Sequence, residues 1–196
     1  CFINNFKDPD RPHSIKLAPG RGREFQHDME KFIELMLTEI PKVFESKEYE
    51  EQKTRVQEQV EHAKEVLFED TAHRAQDLSF QLTVTRTGIV KGPLFKGKPL
   101  QPEDAEKFAP EQRLEIEEHE KKVDAEIRDF LSKARQLDKE AQEKVRELNR
   151  NVAHFAMGHQ LDDLKEKYRD NPRIPEYLND VEEDILGNLK EFLGQT

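Results

Sequence analysis

The chain has 196 residues, 34% hydrophobic and 38% charged, with no tryptophan and a formal charge of −10. That balance is too polar for a compact α/β enzyme core and too acidic for wrapping nucleic acid along the whole surface. A single cysteine, Cys1, excludes an internal disulfide framework and fits a reducing compartment.

Charges of both signs alternate along clear apolar stripes, so most of the chain reads as long, two-faced helices with large solvated surfaces. No apolar run approaches the roughly 18 residues of a membrane span, and no signal-peptide pattern opens the chain. The expectation is a cytoplasmic protein without membrane or nucleic-acid partners.

In chain order, Cys1 to Phe6 reads as a short strand with no obvious partner nearby. Asp8-Pro-Asp-Arg-Pro12 is a rigid turn, since each proline fixes its own φ and biases its predecessor toward extended backbone. Ile15 to Leu17 is extended again, and Ala18-Pro-Gly-Arg-Gly-Arg23 is a second turn. Glu24 to Ile40 reads as an amphipathic helix with Phe25, Met29, Phe32, Ile33, Met36, Leu37 and Ile40 on one broad face. Pro41 is expected to break it. Ser46 is a plausible N-cap for a second helix, with Glu48 at its positive end, running to about Leu78.

Phe80 to Thr85 is β-branched and alternating, Arg86-Thr-Gly88 is a turn, and Ile89 to Phe95 returns as the second strand of a hairpin. Lys96-Gly-Lys-Pro99 makes a further turn, and Pro102 to Phe108 reads as a short helical segment. The longest stretch runs from Pro110 to about Asp170 without an internal proline. Its apolar residues Ile116, Val123, Ile127, Phe130, Ala134, Leu137, Ala141, Val145, Leu148, Val152 and Phe155, followed by His159, return in steps of four and three. Such steps make a heptad seam, with a stutter-like phase shift near Ala141 and Val145. Roughly 60 residues at about 1.5 Å each give a helix on the order of 90 Å long. A last helix is expected from Pro175, using Tyr177, Leu178, Val181, Ile185, Leu189 and Phe192. Phe155, Met157, Leu161, Leu164 and Tyr168 are further core candidates.

The expected fold is mainly α: a long antiparallel coiled-coil arm with a small β-hairpin at the tip and a helical bundle at the base. Residues 1–23 form an extended segment and residues 24–196 a helical domain. Its arm covers about 46–140 with the hairpin at 80–98, and its base bundle is drawn from 24–45 and 141–193.

No catalytic constellation emerges, and the chain is not expected to be an enzyme by itself. Gly92 to Lys98 fits the first seven positions of a phosphate-binding loop, but the eighth is Pro99 where a hydroxyl is required. Hairpin turns that use glycine explain it better. His154 and His159 are five apart and fall on different helix faces, so no metal site is expected there. Arg11, Arg21 and Arg23 could hold an anion, although a polar linker explains them better. Lys91, Lys96 and Lys98 make the hairpin locally basic, interleaved with Ile89, Leu94 and Phe95. Two readings of this tip stand side by side: contact with an extended peptide, or apolar residues that simply hold the hairpin on its helices. The candidate contact residues are Lys91, Leu94, Phe95 and Lys96.

Several motifs resemble the bacterial Lon-related ATP-dependent proteases. They are Phe2-Ile-Asn-Asn-Phe-Lys-Asp-Pro-Asp-Arg-Pro12, Leu17-Ala-Pro-Gly-Arg-Gly-Arg23, the Asp28-Met29 pair and Phe44-Glu-Ser-Lys-Glu-Tyr49. Thr87-Gly-Ile-Val-Lys-Gly-Pro-Leu94, Gly97-Lys-Pro-Leu100 and Val152-Ala-His-Phe-Ala-Met-Gly-His159 continue the likeness. In that family a helical segment interrupts an AAA-type ATPase module that is joined to a Ser–Lys protease domain. The resemblance implies a non-catalytic helical domain whose first strand belongs to the neighbouring AAA-type core. It places the phosphate-binding loop before residue 1 and the dyad beyond residue 196, so no ATP-binding or catalytic residue is carried over. ATP and Mg²⁺ would concern the parent protein alone. Implied partners are unfolded or damaged proteins, the parent's own AAA-type and protease domains, and further copies in a ring. Rival readings are a structural coiled coil between subunits, a free-standing coiled-coil chaperone or adaptor, and, more distantly, a tRNA-binding arm.

Overall fold

Five helices and two small antiparallel sheets make up the described residues of the computed structural model, which are 1–86, 88–101 and 108–194. The chain divides into two compact units, one formed by Cys1–Thr54 with Val145–Thr196 and the other by Arg55–Lys144. The mainly helical fold agrees with the sequence reading. The short helix expected over Pro102–Phe108 lies, apart from Phe108, outside the described residues.

The first unit begins with β1 (Phe2–Ile3) and β2 (His13–Ser14), which pair antiparallel with Phe2 opposite Ser14 and Ile3 opposite His13. The strand expected to be unpaired therefore has a partner. Asn5 is the reason: its Oδ1 accepts from Lys7 N–H at 3.1 Å and Asp8 N–H at 3.3 Å, while its Nδ2 donates to the Arg11 carbonyl at 2.9 Å. That bracket folds the proline-rich turn back on itself and delivers residues 13–14 beside residues 2–3. Ile15 is buried, and Ile3, Phe6 and Leu17 pack against the same core.

Helix α1 (Arg21–Phe44) starts at Gly20, whose φ of 87° lies in the left-handed region that favours glycine. Pro41 does not end it. A proline near the last turn leaves only the Leu37 carbonyl without its N–H, and Phe44 still buries its ring against Tyr49, centroids 4.8 Å apart. Helix α2 (Lys47–Asp77) is capped as expected, because the Ser46 hydroxyl accepts from Tyr49 N–H at 3.2 Å.

From the long helix α3 (Pro110–Lys167), Ala153, Met157 and Leu161 are buried in this unit, as is Tyr168 just past its end. Phe155, expected on the seam and in the core, is instead 84% exposed. It sits two residues from both Ala153 and Met157, about 200° of helical rotation from each. The heptad phase read along the seam does not persist to this end, where burial follows 3.6-residue spacing. Leu37, expected on the apolar face of α1, is also exposed.

Helix α4 (Arg173–Gly187) begins two residues before Pro175, which therefore lies in the first turn rather than at its first position. It stops at Gly187–Asn188, where a separate turn, α5 (Leu189–Phe192), follows in place of one continuous helix. Met36, Ile40, Met157, Ile174 and Leu178 are fully buried, each worth about 1.5–3 kcal/mol relative to exposure.

In the second unit, β3 (Phe80–Thr85), β4 (Gly88–Phe95) and β5 (Lys98–Pro99) form one antiparallel sheet in that order. The hairpin is as expected, and its register runs unbroken from Phe80 opposite Pro93 to Thr85 opposite Gly88. β5 occupies part of what reads as a turn. Phe80, Leu82, Ala75 and Val123 form the buried core, with Phe68, Ile89, Ile116 and Ile127 half-covered around them. Lys64 pairs with Asp138 at 2.6 Å, Phe68 meets Phe130 at 5.6 Å, and Arg74 reaches Glu126 at 3.1 Å. Numbering rises along α2 as it falls along α3, so the two segments run antiparallel within this unit.

Candidate functional site

The hairpin of the second unit carries the candidate contact residues, and its geometry separates them. Lys96 (φ 50°) and Gly97 (φ 77°) both take left-handed backbone, the requirement of a two-residue turn that joins β4 to β5. This presents Phe95 and Lys96 at the surface, with the Lys96 ammonium 5.2 Å from the Phe95 ring centroid. Phe95 also packs on Phe108, ring centroids 5.1 Å apart. Leu94 is half-buried, and its N–H donates to the Ser79 carbonyl at 2.6 Å.

Lys91 is placed differently. Its Nζ binds Glu120 at 3.0 Å and Asp124 on α3. Burial pushes its ammonium pKa down, but donation to Asp124 and Glu120 outweighs this and leaves the value raised. The structure thus groups Leu94, Phe95 and Lys96 at one end of β4, and gives Lys91 to α3. Of the tip's three lysines, sequence alone gave no means of knowing which one an acidic pair on a distant segment would take.

The segment resembling a phosphate-binding loop is strand from Gly92 to Phe95, then the Lys96–Gly97 turn and β5. Among the described residues no group of three or more His, Cys, Asp or Glu is placed to hold a metal. His154 faces Glu182, and His159 lies 3.1 Å from Asp163. Of the arginines considered for anion binding, Arg11 lies 3.6 Å from Asp8. Arg21 pairs with Glu24 at 3.0 Å and lies 4.8 Å from the Tyr168 ring centroid.

The first unit holds two features that sequence reasoning missed. One is an ionic cluster joining α1 to the end of α3. Asp28 Oδ2 accepts from both the Tyr168 hydroxyl and Lys167 Nζ, each at 2.6 Å, and Lys167 reaches Glu24 at 2.9 Å. Burial pushes the Asp28 carboxyl up, but donation from Lys167 and Tyr168 outweighs it and holds the pKa below its ordinary value. Burial and the Asp28 carboxylate push Tyr168 up to about 12. Bonds to Asp28 and Glu24 raise the Lys167 ammonium. The second feature is an apolar cavity of about 640 Å³, lined among others by Phe2, Phe6, Phe25, Met29, Ile33 and Tyr177. Phe2 stands 78% exposed at its edge. The Phe2/Ile3/Phe6 pattern was the available signal, but a strand read as unpaired gave it no surface to face.

The described residues make a mainly helical fold with two small antiparallel sheets. Residues 1–32 match the family model of the Lon-like LonC helical domain. The match supports a helical domain of a Lon-like protease, a domain that is non-catalytic in itself. No curated protein and no solved structure matches the chain. Among the described residues, no helix is long and apolar enough to cross a membrane.

Proposed function

We propose that this chain is the helical domain of an ATP-dependent Lon-like protease and engages unfolded polypeptide on behalf of that machine. The observation that carries the reading is the match of residues 1–32 to the Lon-like helical domain. In this reading the parent supplies an AAA-type module, with ATP and Mg²⁺ where it binds them, and a Ser–Lys protease domain, and it works as a cytoplasmic ring. Residues 1–23 lead from the AAA-type module. The antiparallel segments of α2 and α3 form a coiled-coil arm that presents the hairpin to substrate. Phe95 and Lys96 make the contact, Leu94 supports them, and Lys91 fixes the hairpin through Glu120 and Asp124. Support comes from the exposed Phe95, Val84, Val90 and Leu131 of the second unit, apolar groups open to contact with a polypeptide.

The test is degradation of a permanently unfolded protein by the full-length enzyme carrying F95S and K96S together. The expected result is slower degradation with unchanged cleavage of a short peptide; an unchanged rate on the unfolded protein removes the tip from the account. A second reading, that the domain packs between subunits and shapes the ring, is favoured by the exposed Phe2 and Phe155 of the first unit. Molar mass by light scattering separates the two. A monomer that binds unfolded protein supports substrate engagement, and a stable oligomer that ignores it supports the structural role.

A further inference from the structure

A groove of about 750 Å³ in the second unit lies at the other end of the hairpin from Phe95 and Lys96. Its floor is apolar: Phe68 of α2, Val84 and Ile89 of the hairpin, and Phe130 and Leu131 of α3. The origin of this floor is the pleat of β3. Phe80 and Leu82 lie on the core face and are 3% and 8% exposed, while Val84, next in the same period of two, is 64% exposed. Leu131, also on the groove, is 44% exposed.

The rim is acidic. Glu58, Glu61 and Glu65 line the groove from α2, and their spacing places all three on one helix face. Lys64, the cation among them, is taken by Asp138 at 2.6 Å and Glu61 at 3.3 Å. Glu58 and Glu65 enter no ion pair among the described residues.

From this pairing of floor and rim we infer that the groove docks a polypeptide segment whose apolar side chains are flanked by Lys or Arg. The apolar floor takes the aliphatic or aromatic groups, and Glu58 and Glu65 meet the cations. A second copy docked symmetrically would bring the same three glutamates against themselves. Nucleic acid and anionic lipid surfaces are repelled for the same reason. The inference rests on the reading that the domain engages unfolded polypeptide, and it names the chemistry of the segment chosen. It places selectivity for flanking cations in this groove, in addition to the contact made by Phe95 and Lys96.

The experiment is fluorescence anisotropy of labelled, unstructured peptides titrated with the full chain: one with leucines flanked by lysines, one with the lysines replaced by glutamates. A permanently unfolded protein is titrated in parallel. The lysine peptide should bind at least about tenfold more tightly than its glutamate counterpart, with an affinity that falls as salt rises. E58Q together with E65Q should weaken it about fivefold and reduce the salt dependence, while L131S should weaken it without changing that dependence. Both sets of changes lie at exposed positions, and circular dichroism confirms that the variants fold. If the chain captures the unfolded protein but binds both peptides equally, or if the groove variants bind like the parent, the groove assignment is overturned and substrate engagement stands. If neither peptide nor unfolded protein binds, both are overturned.

Discussion

The two units are built from segments of the same two long helices, yet they bury their residues in opposite ways. In the first, an aromatic and aliphatic core includes Phe25, Phe32, Met36, Ile40, Met157, Leu161 and Tyr168, all at 3% exposure or less. In the second, among the described residues, Ala75, Phe80, Leu82 and Val123 form the buried apolar cluster and Val60 is buried apart from it, while ion pairs join α2 to α3 at Lys64–Asp138 and Arg74–Glu126. Ion pairs of this partly exposed kind contribute about 0–1 kcal/mol each, against about 1.5–3 kcal/mol for a fully buried large apolar side chain. The first unit holds the larger buried core. The second has few buried apolar residues and leaves Val66, Val84, Val90, Leu114 and Leu131 exposed.

The largest effect that sharpens this contrast is expected from L178A in the first unit. Leu178 is fully buried, and its truncation should cost about 2–5 kcal/mol in denaturant unfolding. A loss no larger than that of a surface substitution would break the comparison.

Next comes D28N, expected to cost about 1–3 kcal/mol because it weakens two charge-assisted hydrogen bonds at once. The effect carries a pH signature. Folding lowers the pKa of Asp28, so the unfolded chain holds that proton more tightly. The stabilisation is therefore present above the ordinary value of 3.8 and is lost as pH falls below it. The advantage of the parent chain over D28N should shrink in that acid window, as followed by urea unfolding at a series of pH values. Tyr168 gives the opposite arm: with its pKa raised from 10.0 to about 12, its contribution is lost as pH rises through that interval. Y168F should remove that loss.

A smaller effect is expected in the second unit. K91M removes the tie to Glu120 and Asp124 and should cost about 0.5–1 kcal/mol, read as faster amide exchange confined to β3 and β4. The smallest is F155S, expected to change stability by less than about 0.5 kcal/mol, since the ring is 84% exposed. A large loss at Phe155 would restore it to the core that heptad spacing gave it.

That last case shows where the sequence was legible and where it was not. The broad apolar face of α1, the Ser46 cap and the alternating hairpin were readable because each depends on local spacing or a single side-chain bond. The exposure of Phe155 was not, because spacing reports a helix's apolar phase but not which neighbour claims which face. Pairing of β1 with β2 escaped notice for a related reason. His13-Ser14 carries no strand pattern, and the pairing depends on the Asn5 bracket, a feature of hydrogen bonding rather than hydrophobicity. At the tip, the basic and apolar composition was plain, while the division of Lys91 from Phe95 and Lys96 rests on Glu120 and Asp124, some thirty residues away. The acidic groove was hidden altogether, since its floor draws on α2, the hairpin and α3 together.

The most direct test of substrate engagement by the second unit is amide hydrogen exchange of the full chain, with and without saturating permanently unfolded protein. The account predicts added protection in residues 55–68, in β3 and β4 and around Leu131, with the first unit unchanged. Protection confined to the first unit, or none despite confirmed binding, would contradict it.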